Sequence, residues 1–390
     1  MRTFDFVSGS RLGMQDGGAL LGKGVYVCIL NLAMSCKSGT RKQFPKEQSG
    51  IRLTKIMFER HARIEINIAR MLHGIQGWDR YFAIPDSICE PAEMQSKETV
   101  DDLKSCDVAK RANKTDSWDR VRILSMIYRG KNLKNYSYDM NTFQLLPFFI
   151  QLLEAGSQLT LHRIVHRDLH SANVLVDRFG RARFIDFNLS IHVTPTIPVS
   201  RLLHEYTSSL HQESPDMMLI NALDYKMNGQ RILQQFIKKR PLVRYMESVL
   251  SYSHTDIVDD LMVMHDLPCM LDVDMEGWFQ TYWNTIDSWS IAMLILDIMQ
   301  TLQYHPRFLS IYGSNKDMIQ RNKTAIRRVL RLMCEMNPEH RIDCVQALKE
   351  LDPAHPILKS SRAAEWPMKN KTKKQERALQ EYGAHHDRGY

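Results

Sequence analysis

The sequence predicts an α+β protein in which a small strand-rich part comes first and a larger helix-rich part follows. Three observations carry this. Residues 19–57 read as strand, glycine turn, strand, loop and strand. From Phe143 onward apolar residues recur at helical spacing, at Phe143, Leu146, Phe149, Ile150 and Leu153, and helical patterns dominate as far as Leu351. The 390 residues are enough to bury a core in each part.

Taken in order, residues 1–18 are a polar, glycine-containing lead-in. Residues 58–72 have helical periodicity, with apolar side chains three and four apart. Residues 84–118 are polar and rich in Cys, Lys and Asp, so a loop with irregular strands is expected there. The apolar run 121–128 suits a buried strand. An N-terminal lobe over 19–128 and a C-terminal lobe over 129–352 follow, with an insertion around 220–280. Patterns such as Ile232-Leu233-Gln234-Gln235-Phe236-Ile237 mark that insertion as packing helices. Residues 353–390 are basic with few large apolar groups, and are expected to form a flexible tail.

Composition excludes several classes. A hydrophobic fraction of 44% with 25% charged residues is that of a soluble globular chain. The longest apolar run, 291–299, is broken by Asp297 and is far shorter than the roughly 20 residues a membrane helix needs. The first residues, MRTFDFVSGSRLG, hold no apolar signal core, so secretion is not expected. Seven cysteines, an odd number without CxxC spacing, speak against a disulfide framework and a zinc site and for a reducing compartment. The net charge of +8 is spread along the chain, with a local excess only in KNKTKKQER. No basic module with interleaved aromatics accompanies it, so nucleic acid is not expected as the main ligand. A basic tail and a basic substrate-facing surface account for the charge.

The strongest chemical signal is His166-Arg167-Asp168-Leu169-His170-Ser171-Ala172-Asn173, followed by Val174-Leu175-Val176. It fits the pattern H-R-D-L-x-x-x-N in full. Thirteen residues after Asn173 stands Asp186-Phe187-Asn188. Two short strands joined by the turn Asp177-Arg178-Phe179-Gly180 would bring Asn173 and Asp186 together. Both offer the hard oxygen ligands that magnesium requires. Asp168 is placed to accept a hydroxyl proton and orient that hydroxyl for phosphoryl transfer, a reaction that needs positioning and charge neutralisation more than covalent help. The tripeptide alone would read as a chance salt-bridged turn; the eight-residue pattern with a correctly spaced Asp-Phe does not.

On these residues the chain resembles the eukaryotic-type protein kinase superfamily, over roughly residues 19–351. In GKGVYVC followed by NLAMSCK, and in the long insertion, it looks most like Ser/Thr kinases encoded by large nucleocytoplasmic DNA viruses. The resemblance implies a bilobal protein-kinase fold, ATP and Mg2+ as cofactors, and a protein substrate. It makes Gly22 and Gly24 part of a glycine-rich loop over the phosphates, with Val27 where a third glycine is expected. It makes Lys55 the phosphate-binding lysine of an inward-facing strand. The partner of Lys55 should be Glu65, which shares a helical face with Ile68, Ala69 and Leu72, rather than Glu59 on the outer face. Met126 would back the adenine pocket, with Tyr128 in the hinge. Ser214-Pro215-Asp216 looks like the end of the activation segment, and Asp216 should pair with Arg341. Asp287 should cap the catalytic-loop backbone, with Trp289 in the core. Between Asn188 and Ser214, the residues Thr194, Thr196, Ser200, Tyr206, Thr207, Ser208 and Ser209 offer hydroxyls that Arg167 could pair once phosphorylated.

Three positions depart from the family: Val27, Asn188 after Asp186-Phe187, and His170 in place of a catalytic-loop lysine. His170 replaces a permanent charge by a group that titrates near neutrality. The expected function is an ATP-dependent Ser/Thr protein kinase with Asp168, Lys55, Glu65 and His170 as catalytic residues. The three departures make a pseudokinase that binds nucleotide or partners the alternative. A small-molecule kinase of the aminoglycoside or choline type is a further one, because D-L-H-x-x-N also occurs there. A cytoplasmic location is expected, in host cytoplasm or virion if the viral resemblance holds.

Overall fold

The structure is a computed structural model that describes residues 20–23, 27–31, 34–43, 50–95, 97–198, 202, 210–368, 371 and 375–376. Gly24 lies outside the described residues, as do Ser200, Tyr206, Thr207, Ser208 and Ser209. The chain divides into two compact units, Met1–Ser137 with Ser171–Ser190, and Tyr138–His170 with Ile191–Tyr390.

In chain order the strands are β1 (Leu20–Lys23), β2 (Val27–Leu30), β3 (Lys42–Gln43), β4 (Arg52–Phe58), β5 (Ser87–Cys89), β6 (Val121–Ile127), β7 (Lys131–Asn132), β8 (Ile164–Val165), β9 (Val174–Val176), β10 (Ala182–Phe184) and β11 (Ile191–His192). The helices of the first unit are α1 (Glu59–His73), α2 (Lys97–Leu103) and α3 (Asp107–Thr115). Those of the second begin with α4 (Leu145–Leu161), α5 (Pro215–Asp224), α6 (Gly229–Lys239), α7 (Pro241–Leu250) and α8 (His254–His265). They continue with α9 (Pro268–Leu271), α10 (Met275–Tyr282), α11 (Ile286–Leu302), α12 (Lys316–Met333), α13 (Cys344–Leu351) and α14 (Ser361–Ala364). The expected segregation into a strand-rich first part and a helical remainder holds.

The first unit is built on a sheet of order β1-β2-β4-β6-β5-β3. Strand side chains alternate between faces, so each strand feeds two cores. Val27, Ile29, Leu53, Met57, Leu124 and Met126 form one cluster with Leu175 and Ile185. Cys28, Leu30, Ile56, Val121 and Ile123 form the other, with Leu103, Val108, Ala109 and Ala112 from α2 and α3. Residues 97–103 and 107–115 are therefore helical where the sequence suggested loop. The stripe that folds them, Leu103, Cys106, Ala109 and Ala112, has one large apolar residue and is otherwise small, which hides it among the charges.

The cysteine expectation is also overturned. Cys28–Cys106 and Cys36–Cys89 are disulfides, with Cα–Cα distances of 5.8 and 5.7 Å. Their partners are 78 and 53 residues apart. Packing of α3 on the sheet and the sheet itself bring them together, so no local spacing announces them. Cys269, Cys334 and Cys344, all in the second unit, are free thiols.

The second unit packs around α11, which is buried on nearly every side. Helix α13 lies close against α4 because residue 156 is glycine: a Cβ there would sit 2.6 Å from Cys344 Sγ. Helices α6 and α7 pack inward through Ile232, Leu233 and Phe236 of α6 and Leu242, Val243 and Met246 of α7. Asn228 caps α6, and Ser253 with Asp256 forms a capping box on α8. The flexible tail expected over 353–390 is corrected for its first part. His355 Nε2 lies 2.9 Å from Glu154 Oε1. Trp366 donates to Asp343 Oδ2 at 2.8 Å and packs edge-on against Trp283. Ile357 and Ala363 are buried. No helix among the described residues is long and apolar enough to cross a membrane.

Candidate functional site

In the first unit, the side chain of Lys55 on β4 points away from the disulfide-bonded face, as do Leu53 and Met57. Its Nζ donates to both carboxylate oxygens of Glu65, at 2.8 and 2.6 Å, and to Asp186 Oδ1 at 2.7 Å. Glu65 lies on the buried stripe of α1 with Ala62, Ile66, Ile68, Ala69 and Leu72. Glu59 sits on the outer face and pairs with Arg63 and Arg122. The three groups of the Lys55 cluster are only 1–7% exposed.

Asp186 and Asn173 come together as the hairpin of β9 and β10 requires. Phe184 pairs with Val174, and Ile185 N–H donates to the Asn173 carbonyl at 3.0 Å. The turn closes through Gly180 at φ +76, whose N–H donates to Asp177 O. Asp186 itself is left-handed, at φ +67, a conformation uncommon for a residue with a Cβ. Asn188 sits in the following 3₁₀ turn, Phe187–Leu189, and does not have a positive φ.

One lysine and two carboxylates buried together leave an excess of negative charge. Burial pushes the Glu65 carboxyl up, Lys55 opposes this and Asp186 adds to it, leaving it at about 7. Burial would lower Lys55, but Asp186 and then Glu65 outweigh it and hold the ammonium above its ordinary value. An acidic excess beside a buried amide oxygen is a donor set that fits a hard divalent cation. Asn173 and Asp186 both line a cleft with Lys55. The apolar walls of that cleft include Ile29, Leu53, Met126, Leu175 and Ile185, with Tyr128 at the edge.

Gly130 lines the same cleft and was not singled out from the sequence. Its φ is +126, and an added Cβ would meet Val176 O at 2.2 Å. A glycine three residues past the end of a buried strand was the available signal. Gly22 lies on β1 opposite Ile29. Val27 is fully buried in the sheet core.

In the second unit, residues 166–170 form a loop held by α11. Asp287 accepts from His166 N–H at 2.7 Å and Arg167 N–H at 3.0 Å. Arg167 is left-handed at φ +69, and its guanidinium donates to Leu202 O. Burial raises the Asp287 carboxyl, opposed by His166 and Arg167. Asp168 Oδ2 is 3.7 Å from His170 Nε2, and Asp168 Oδ1 is 3.4 Å from Gln212 Nε2. Gln212 carried no motif in the sequence. Asp216 accepts from Arg341 at 2.8 Å and from Trp278 Nε1 at 3.0 Å, with both charged groups fully buried. Trp289 is buried and donates to His211 O. Thr194 donates to Thr196 O at 2.8 Å.

Residues 119–201 match the family model for protein tyrosine and serine/threonine kinases. Sperm motility kinase 1 of Mus musculus is 37% identical over 79 residues, 20% of this chain and 16% of that protein. Sperm motility kinase 2A of Mus musculus is 30% identical over 109 residues, 27% of this chain and 21% of that protein. The chain thus matches less than a quarter of the length of either relative. Over these stretches the chain is similar to protein kinases.

Proposed function

We propose that this chain is a protein kinase that transfers the γ-phosphoryl of ATP to Ser or Thr hydroxyls of protein substrates. The observation that carries the proposal is the buried Lys55 ammonium bridging Glu65 and Asp186 at one end of a cleft with apolar walls. Such a cleft takes a planar apolar base, and its charged end takes phosphates.

In this reading Lys55 donates to phosphate oxygens, and Glu65 keeps its ammonium aimed. Met126 and Tyr128 bound the base. Asn173 and Asp186 hold a magnesium ion, which when bound neutralises charge on the phosphates. Asp168 stands five residues before Asn173 in the chain. Its carboxylate accepts the proton of the substrate hydroxyl and orients the oxygen for attack, while Asp287 fixes the backbone that carries it. His170 stands beside Asp168 where a lysine is expected. Val27 belongs to the sheet core, so no role in gripping phosphate is assigned to it. The narrower likeness to kinases of large DNA viruses rests on GKGVYVC, NLAMSCK and the insertion alone.

The second reading is a nucleotide-binding protein without transfer. It is favoured by His170, which stands 3.7 Å from Asp168 Oδ2 and, when charged, would occupy the carboxylate instead of the phosphate. The test is radiolabelled phosphate transfer from ATP with magnesium to a generic basic protein, comparing wild type with Asp168→Asn. Label on Ser or Thr that disappears in the variant supports the kinase reading. Nucleotide binding without label in either protein would replace it by the second.

A further inference from the structure

We propose that the two disulfides of the first unit are a redox site that sets nucleotide affinity, with the Cys28–Cys106 bridge as the controlling element. The inference rests on the nucleotide reading of the Lys55 cleft.

The argument starts from the position of β2. Its alternate residues serve two faces: Ile29 lines the cleft, and Cys28 faces the opposite core. In the ladder Ile29 lies opposite Lys55 and Cys28 opposite Ile56. Among the described residues, strand β1, with Gly22, pairs with β2 and is the outermost strand of the sheet. Whatever holds β2 in register on β4 therefore holds both the roof of the cleft and the start of the glycine loop.

On the far face, β2 is covered by α3. The apolar residues this nine-residue helix buries are Val108, Ala109 and Ala112. One valine and two alanines remove little apolar surface from water, and an isolated helix of this length is marginal. The covalent link from Cys106, at the N-cap of α3, to Cys28 supplies what packing does not. The second bridge ties Cys36, in the loop after β2, to Cys89 on β5. Both ends of the β2 segment are thus fastened to other parts of the unit. All four bridged cysteines lie in this unit, and the three free thiols lie in the other.

Each bridge forms by thiol–disulfide exchange. One thiolate attacks a sulfur of a donor disulfide, protein or small molecule; the second thiolate then displaces the donor from the mixed disulfide. The cysteine pair gives up two protons and two electrons, and the donor leaves as two thiols. Reduction runs the same steps backwards. Cys36 is partly exposed, whereas Cys28, Cys106 and Cys89 are buried. Reductant therefore opens Cys36–Cys89 first and reaches Cys28–Cys106 only as the α3 cover lifts.

The test uses the full chain, oxidised with glutathione disulfide or reduced with a phosphine, with pairings mapped by mass spectrometry of non-reduced peptides. ATP affinity is measured by calorimetry for wild type and for the Cys28→Ala/Cys106→Ala double variant. The oxidised wild type is expected to bind ATP at least about tenfold more tightly than the reduced form. The double variant should bind with the reduced form's affinity in either condition. Equal affinity of oxidised and reduced wild type would overturn the inference while leaving the nucleotide reading intact. So would a peptide map in which the four cysteines stay thiols under oxidant. Absence of ATP binding in every form would sink the nucleotide reading itself, and this inference with it.

Discussion

The two units bury charge in opposite ways. In the second, Arg341 meets Asp216 with nothing exposed, and the neighbours finish the job. Its guanidinium also donates to Glu335 O and Met336 O, Trp278 donates to Asp216, and the Trp289 ring lies under the cation. Charge and hydrogen bonds balance, so the pair acts as a lock. In the first unit, Lys55 is shared between two carboxylates and the balance fails by one negative charge. A buried cluster that is left unbalanced is poised to take something up, a proton or a cation. The lesson is that a buried ion pair becomes a functional candidate when its own neighbours leave it incomplete.

The largest effect should come from breaking the balanced pair. Arg341→Ala strands Asp216 in the core, and a loss of about 3–5 kcal/mol of unfolding free energy is expected by denaturant titration. An effect under about 1 kcal/mol would show that the pair is not the lock described.

Acidity separates the two units by sign. Glu65, raised to about 7 from 4.5, holds a proton when folded that it releases when unfolded. Its contribution to stability is fully present below 4.5 and is lost as pH rises through about 7. His211 runs the other way: burial, and then Arg240, push it from 6.5 down to about 4. Its contribution is present above 6.5 and is lost as pH falls through about 4. Unfolding free energy measured across this range should lose its alkaline-side slope in Glu65→Gln and part of its acid-side slope in His211→Gln. Unchanged slopes would contradict these assignments.

The smallest effect belongs to Glu59, six residues before Glu65 on the same helix. Its pairs with Arg63 and Arg122 are partly exposed. Glu59→Gln should change stability by no more than about 1 kcal/mol and leave ATP affinity unchanged. A variant as damaging as one at Glu65 would remove the distinction between the two faces of α1.

What the sequence made legible follows its periodicities and motifs. The helical face that carries Ile68, Ala69 and Leu72 pointed to Glu65 over Glu59. The spacing of Asn173 and Asp186 around Gly180 gave a hairpin. The insertion read as packing helices because Ile232, Leu233 and Phe236 recur at helical spacing. The misses share a cause, in that their signal is non-local or small. Helix α3 buries valine and alanines among charges, so its stripe is faint. The disulfides join residues 53 and 78 positions apart, which only the folded sheet and the packing of α3 on it bring near. Gln212 meets Asp168 across 44 residues and has no motif of its own. Trp366 and His355 dock a segment whose composition alone reads as tail.

The most direct test of the unbalanced cluster is ATP affinity with magnesium, measured by calorimetry for oxidised wild type, Lys55→Met and the Glu59→Gln control. Thermal melts would verify that each variant is folded. Wild type and Glu59→Gln should bind alike, and Lys55→Met should bind at least about tenfold more weakly. A folded Lys55→Met protein that binds ATP as tightly as wild type would contradict the account.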